Sequence, residues 1–488
     1  MKKTIAIIGS GFSALAASCY LAQQGNKVTI YEKNESIGGR ARQFKKEGFT
    51  FDMGPSWYWM PDVFERFFND FNKQTTDYYE LIKLNPAYRV YFGVDDFISI
   101  YDNLEEIKTT FESIEKGSGH ELEIFIKQAK SNYDIAIKDL VYRPGVSPLE
   151  LITVETTLKL NQFFSTVSND IRKKFKNQRL IQILEFPVLF LGAKPTKTPS
   201  FYNFMNYADF GLGTWHPKTG MFDVVRGIEK LALELGVTIE TDAAIEKIVV
   251  ENKTATGIVI NGKSVKADII LSGADYHHTE TLLDIEHRAY SEKYWESRVF
   301  APSSLLFFVG FDKKIENISH HALFFDVDFN QHAADIYDEP KWPDAPLFYA
   351  NFPSKTDHTA APEGKESGFF LIPLAPGIHD SEALREEYFE KIITRFEQLT
   401  QQKIKNNIIF KRSFCKNDFA TDYNAYKGNA YGMANTLLQT AFLRPKLKSK
   451  KVRNLYFTGQ LTVPGPGVPP ALISGKLVAE LIQKSFRS

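Results

Sequence analysis

Thr4-Ile5-Ala6-Ile7-Ile8-Gly9-Ser10-Gly11-Phe12-Ser13-Ala14-Leu15 is the stretch whose reading decides the fold. Thr4 to Ile8 is a short apolar run rich in β-branched residues, which predicts a buried parallel strand. Leu15 to Gly25 has helical spacing and stops on glycine. Val28-Thr29-Ile30-Tyr31 reads as a second strand that closes on Glu32. Together these make a strand–helix–strand unit of about thirty residues. Gly9 permits the tight turn out of the strand. Gly11, with no side chain, leaves room for a pyrophosphate at the helix N-terminus, where free N–H groups and the helix dipole favour an anion. Ala14 takes the place of a third glycine and still lets helix and strand pack closely. Glu32 stands where an acid accepts hydrogen bonds from ribose hydroxyls, and its charge would repel a 2′-phosphate, which disfavours NADP.

Working outward, Gly38-Gly39-Arg40 follows the second strand, and Gly48-Phe49-Thr50-Phe51-Asp52-Met53-Gly54-Pro55-Ser56 comes next. This pattern resembles the FAD-binding flavoproteins that include amine oxidases, protoporphyrinogen oxidases and carotenoid desaturases. The second stretch is most similar to bacterial phytoene desaturases. The resemblance implies FAD, with Gly39 and Arg40 along the pyrophosphate and flavin and Gly54 close by. It also implies the fold class: α/β, a Rossmann-like FAD-binding domain of the glutathione-reductase and amine-oxidase type, with a second α+β substrate domain and a helical insert.

Farther along, Gly220 to Gly236 reads as a helix. Val237 to Gly273 reads as a β-meander with strands at Thr238–Glu240, Ile245–Val250, Ala255–Ile260 and Val265–Leu271. Asn261-Gly262 is a two-residue hairpin signal. In the resembled family a strand of this meander, here near Ile245, lies over the adenosine. Asn454 to Gly459 reads as a strand, followed by a Pro-Gly loop and a helix from about Ala471 to Ser485, a second anion-seeking helix start. The resemblance runs Gly459, Gly467 and Val468 past the flavin ring, although Gln460, Val463 and Pro469-Pro470 depart from the common pattern. Asp422 to Gly428 also resembles desaturases. The expected division is a discontinuous FAD domain, residues 1–60, 216–279 and 445–488, and a substrate domain that meets the membrane, residues 61–215 and 280–444. Trp57 to about Trp215 looks largely helical.

The composition narrows the function. There are 59 basic and 59 acidic residues in 488, a zero net charge that argues against a dedicated nucleic-acid partner. Two cysteines allow neither a disulfide framework nor a thiolate metal cluster and fit a reducing compartment. Met1-Lys2-Lys3 and the apolar stretch to Cys19 have the layout of a signal peptide, but Gly9-Ser10-Gly11 interrupts it. The pairs His277-His278 and His320-His321 point adjacent side chains apart, so neither makes a metal site, and solvated or satisfied histidines are expected. Forty phenylalanines can wall a large apolar cavity. Val63, Phe64, Phe67, Phe68 and Phe71 share a helix face, read first as core and second as a membrane or tunnel face. Arg444 to Arg453 is a basic run, read as a solvated loop with anionic lipid as the alternative.

The resemblance thus implies an FAD-dependent oxidoreductase that desaturates a long isoprenoid, phytoene to lycopene-type carotenoids, by hydride transfer to flavin. A quinone or oxygen would take the electrons. The protein would lie in the cytoplasm, held peripherally at the cell membrane. Glu150 falls near an acid that the family places facing the flavin, and is the one catalytic candidate. The rival readings are a desaturase of a later, hydroxylated or shorter carotenoid, another flavin oxidase of the superfamily, and a flavin-free prenyl-lipid carrier.

Overall fold

A computed structural model describes residues 2–151 and 153–486, so the outermost residues of the expected division lie outside it. Five parallel strands build the first sheet, in the order Leu455–Phe457, Ile269–Ser272, Thr4–Ile8, Lys27–Tyr31 and Thr238–Glu240. Ile5 pairs with Ile269 on one side and Val28 on the other. Strands buried on both faces need continuous apolar runs, and Ile5 to Ile8 are all buried. The helix Phe12–Gln23 covers this sheet and is buried from Phe12 through Leu21.

Small residues set how near its neighbours come. A Cβ on Gly273 would lie 2.7 Å from the Ala14 methyl, so the close helix–strand contact uses both positions. The terminal helix Val468–Ser485 crosses the first at Gly475, where a Cβ would lie 2.6 Å from the Ser13 carbonyl oxygen and 2.8 Å from the Ala17 nitrogen. The helix Phe222–Glu234 packs along another side of the first.

The meander is present with two corrections, the first being that Thr238–Glu240 belongs to the parallel sheet, pairing with Lys27–Tyr31. Ile245–Glu251, Thr254–Ile260 and Lys263–Lys266 pair antiparallel, and Asn261 and Gly262 turn between the last two with φ of 49° and 68°. The expected strand Val265–Leu271 is two strands. The chain leaves the meander after Lys266 and enters the parallel sheet at Ile269. Asp268 makes that corner, its Oδ2 accepting from Thr4 N at 2.8 Å and Thr4 Oγ1 at 2.9 Å.

A second sheet has seven strands in the order Ile408–Phe414, Ser303–Phe311, Glu366–Leu374, Phe348–Asn351, His321–Phe324, Tyr88–Gly93 and Asp96–Ile100. Its last two strands correct the helical reading of Trp57 to Trp215. Val90 and Tyr91 are β-formers that alternate faces, and Asp95, at φ 51°, turns the hairpin. The helix Pro61–Asn69 precedes this hairpin, and helices resume at Leu104. Along Ser303–Phe311, Leu306 and Phe308 face the main core, while Phe307 and Val309 face a second core under the helix Glu382–Thr400.

The phenylalanine stripe is core. Val63, Phe64, Phe67, Phe68 and Phe71 are all buried. Phe64 stacks on Tyr58 at 4.3 Å, and Phe71 meets Tyr20 of the first helix at 4.8 Å. Each buried Phe contributes roughly 1.5–3 kcal/mol relative to exposure, which an outward face would forgo. Among the described residues, no helix is long and apolar enough to cross a membrane.

Candidate functional site

The two sheets and the helical block enclose a cavity of about 620 Å³. One end is lined by the ends of the parallel strands: Gly9 to Ser13, Glu32 to Asn34, Gly273 to Tyr276 and Thr458 to Leu461. The other end runs between the second sheet and the helices, past Trp57, Phe186, Phe190, Phe201, Leu306 and Leu371.

At the first end the backbone is shaped for an anion. Gly9 has φ of 84° and donates to Tyr31 O at 2.8 Å. A Cβ on Gly11 would meet nothing within 4 Å, so the space it would fill belongs to the cavity. Gly39, at φ 55°, brings its own Cβ position to 3.3 Å from Gly11 Cα, and the two glycine-rich elements touch backbone to backbone. Gly54 packs under them, since a Cβ there would lie 2.1 Å from Arg40 O.

Glu32 is buried, and four donors hold it. Oε2 accepts from Ser10 N at 2.9 Å and Ser10 Oγ at 2.6 Å, and Oε1 from Asn34 N and Nδ2, each at 2.9 Å. Arg40 lies over the Tyr423 ring at 5.4 Å and donates to Asn429 O at 3.3 Å. With the Gln460 carboxamide turned oxygen-inward, Arg40 also donates to it at 2.9 and 3.0 Å. Its Nε has no partner. Burial lowers the Arg40 pKa and the nearby Asp275 opposes that shift, so the guanidinium stays charged and its unpaired N–H suits a phosphate oxygen.

The segment Thr421 to Gly428, which includes the desaturase-like stretch Asp422 to Gly428, clamps this end. Arg42 pairs with Asp422, Lys33 Nζ donates to Thr421 O at 2.6 Å, and Asn34 Nδ2 donates to Asp422 O at 3.3 Å. Asp275 caps the next helix and accepts from Tyr426 N at 3.3 Å. Burial raises its pKa against the pull of Arg40. The sequence reading missed Asp275, although the apolar run Ile269 to Leu271 ending in Ser272-Gly273 was the signal of another parallel strand end.

The remaining expected residues divide. Gly459, Gly467 and Val468 line the cavity beside Gln460 and Val463. Gly459 has φ of 104° and donates to Ser474 Oγ at 2.9 Å. The terminal helix starts at Val468, and Pro469 and Pro470 supply no N–H, so Val468 is the sole donor among its first three residues. Ile245 is not among the lining residues; it packs against the core under the meander. Ala14 acts through packing alone. Glu150 lines the cavity, but its carboxylate accepts from Gly145 N at 2.8 Å, Val146 N at 2.9 Å and Ser147 N at 3.2 Å, closing its own loop.

Two expectations about charge change. His320 and His321 are neither solvated nor fully satisfied: both are buried, each bonded through Nδ1 and unpaired at Nε2. Among the described residues no group is arranged to hold a metal ion. Arg444 does not belong to a solvated run: it is buried, donating to Met433 O at 2.9 Å and Thr462 O at 3.0 Å, and burial pushes its pKa down to about 10.

Residues 12–483 match the flavin containing amine oxidoreductase family. A carotenoid 3,4-desaturase of Haloarcula japonica is 40% identical over 482 residues, covering 98% of this chain and 97% of its own. A 4,4'-diapophytoene desaturase (4,4'-diaponeurosporene-forming) of Staphylococcus aureus is 34% identical over 499 residues, covering 99% of each. Among solved structures, an oxidoreductase from Methanosarcina mazei shares the fold with a TM-score of 0.65 at 17% identity, covering 98% of this chain and 100% of its own.

Proposed function

The chain belongs to the flavin containing amine oxidoreductase family and, within it, to the carotenoid desaturases, and from that premise we propose that it desaturates a carotenoid later or shorter than phytoene. It is an FAD-dependent oxidoreductase, and the residues present fit FAD: the open space at Gly11, the unpaired Arg40 Nε, and Glu32, a buried acid lining the cavity at the end of the second strand. Bound FAD supplies the oxidation, taking one hydrogen with its bonding electron pair. The protein's part is to hold the chain straight in a dry cavity and exclude water.

The observation that carries the reading is one continuous cavity joining the glycine-rich end to an aromatic channel. The relatives' names weight the substrate. One is a 3,4-desaturase of a carotenoid and the other acts on diapophytoene, and both favour the later or shorter substrate over the phytoene expected from sequence. Electrons then pass to a quinone or oxygen.

Leu158, Phe164 and Leu438 are 80%, 79% and 76% exposed, and Ser147, Thr156 and Thr440 nearby in the chain line the cavity. Exposed apolar side chains of this kind would seat the protein peripherally on a membrane, a route by which an apolar substrate could enter without crossing water. The test is turnover. FAD-loaded protein with a quinone and liposomes is offered phytoene, 4,4'-diapophytoene and lycopene in parallel. A red-shifted product from either of the last two is expected. Turnover of phytoene alone would return the assignment to phytoene, and turnover of none would defeat it.

A further inference from the structure

We propose that the Tyr349 hydroxyl, backed by His321, takes the proton that desaturation releases; the role rests on the function proposed above. Ser56 and Tyr349 both line the cavity, next to Gly54 and Pro55. Tyr349 lies on the strand Phe348–Asn351; its hydroxyl donates to Ser56 Oγ at 2.9 Å and lies 2.6 Å from His321 Nδ1, toward which the O–H turns when the proton is passed on. His321 pairs with Asn351 across the sheet, and Asn351 Nδ2 lies 3.2 Å from the same Nδ1. An amide N–H only donates, so Nδ1 is an acceptor and the neutral ring carries its proton on Nε2. Trp57 stacks flat on this imidazole, with centroids 4.0 Å apart and planes 10° from parallel.

Behind His321 the polar groups continue. His320 lies 4.5 Å away between ring centroids, His216 lies 4.5 Å from His320, and His320 Nδ1 reaches Thr356 Oγ1 at 2.9 Å. Both nitrogens of His216 and the Nε2 of His320 and His321 lack partners. Unpaired polar atoms in a core are costly, and three adjacent imidazoles with none satisfied fully are hard to explain as packing.

The chemistry needs such a group. Desaturation breaks two C–H bonds. The first leaves with its electron pair for the bound flavin. The second loses a proton only, and its electron pair becomes the π component of the new C=C bond. Beside a cation delocalised along a polyene, that C–H bond is acidic enough for a weak base. The Tyr349 oxygen takes the proton as its own passes to His321 Nδ1, so the phenol ends neutral and the imidazole carries the charge. Burial, with His216 nearby, holds the His321 pKa well below the usual range, so the ring is neutral and able to accept before turnover. Once charged, it lies against the indole face of Trp57, which favours a cation.

Tyr349→Phe and His321→Gln test the relay in the FAD-loaded enzyme. Gln keeps an acceptor oxygen but cannot carry the proton. With flavin content at the wild-type level, kcat should fall about a hundredfold in each, within the range of general acid–base catalysis. Substrate deuterated at the proton-losing carbon should react at nearly the protiated rate in wild type, and measurably more slowly in both variants, as proton removal becomes rate-limiting. A purely structural role would lower kcat and leave that isotope effect unmoved. Such a result, or kcat within about twofold of wild type, overturns the relay. Nitrogen-15 histidine spectra need no turnover: a neutral His321 protonated on Nε2 supports the relay, and an Nδ1–H tautomer overturns it. A wild type inactive on every carotenoid defeats the function itself, whereas an active wild type with unaffected variants defeats the relay alone.

Discussion

At the scale of single residues, Gly11 is the sharpest lever on the cofactor. Because a Cβ there meets no protein atom within 4 Å, Gly11→Val should fold normally and still fill the pyrophosphate's place. The expected outcome is an unchanged apo melting temperature with no flavin absorbance after purification, and a yellow variant would overturn the phosphate assignment. Glu32→Ala should weaken FAD binding by roughly 1.5–3 kcal/mol, the worth of a hydrogen bond to a charged group, as read by titration. Asp209 gives a pH prediction. Burial raises its pKa from 3.8 to about 8, with the Tyr88 hydroxyl donating at 2.7 Å. The folded protein therefore keeps a proton that the unfolded chain has lost, and stability falls as pH rises through that window. Asp209→Asn removes the slope, so the variant should gain on wild type between pH 5 and pH 9 in paired thermal melts; an equal difference at both pH values would contradict the shift. The glycines were legible because each answers a local backbone need. Asp275, Tyr349 and His321 were not, because Arg40, Ser56 and Trp57, the groups beside them in turn, lie more than 200 positions away in the chain.

At the scale of elements, the terminal helix depends on one bare position. Gly475 brings it onto Ser13 and Ala17, and Lys476 Nζ reaches Asp70 at 2.6 Å, the carboxylate that also accepts from the Tyr20 hydroxyl. Gly475→Val should cost about 2–3 kcal/mol or more by overpacking and should loosen FAD, since the loop before this helix lines the cavity. Denaturant unfolding with flavin release as a second probe checks both. The helices and parallel strands were legible from their periods and glycine stops. The hairpin Tyr88 to Ile100 was not, because it lies inside a segment otherwise helical and pairs with His321–Phe324, a partner the local pattern does not reveal. The phenylalanine stripe was ambiguous for a related reason: an amphipathic face shows that something apolar covers it, not whether that is protein or lipid.

At the scale of the whole molecule, the proposed membrane seating would fall to the exposed Leu158, Phe164 and Leu438, since the phenylalanine stripe and Arg444 are both buried. Leu158→Glu with Phe164→Glu should abolish co-sedimentation with anionic liposomes while flavin content stays at the wild-type level; unchanged sedimentation would return the protein to solution. The parallel sheet has one further consequence. Its central strand is Thr4–Ile8, while its edge strand is Leu455–Phe457 and the helix crossing the first helix ends at Ser485. At about 5–20 residues per second, translation separates these pieces by roughly 20–90 s. For that interval the nascent chain carries a glycine loop and an apolar helix whose closing partners have yet to be made. Coenzyme capture is thus one of the last events in the protein's biogenesis, and a chaperone that shields the first helix on the ribosome would govern how much of the polypeptide ever turns yellow.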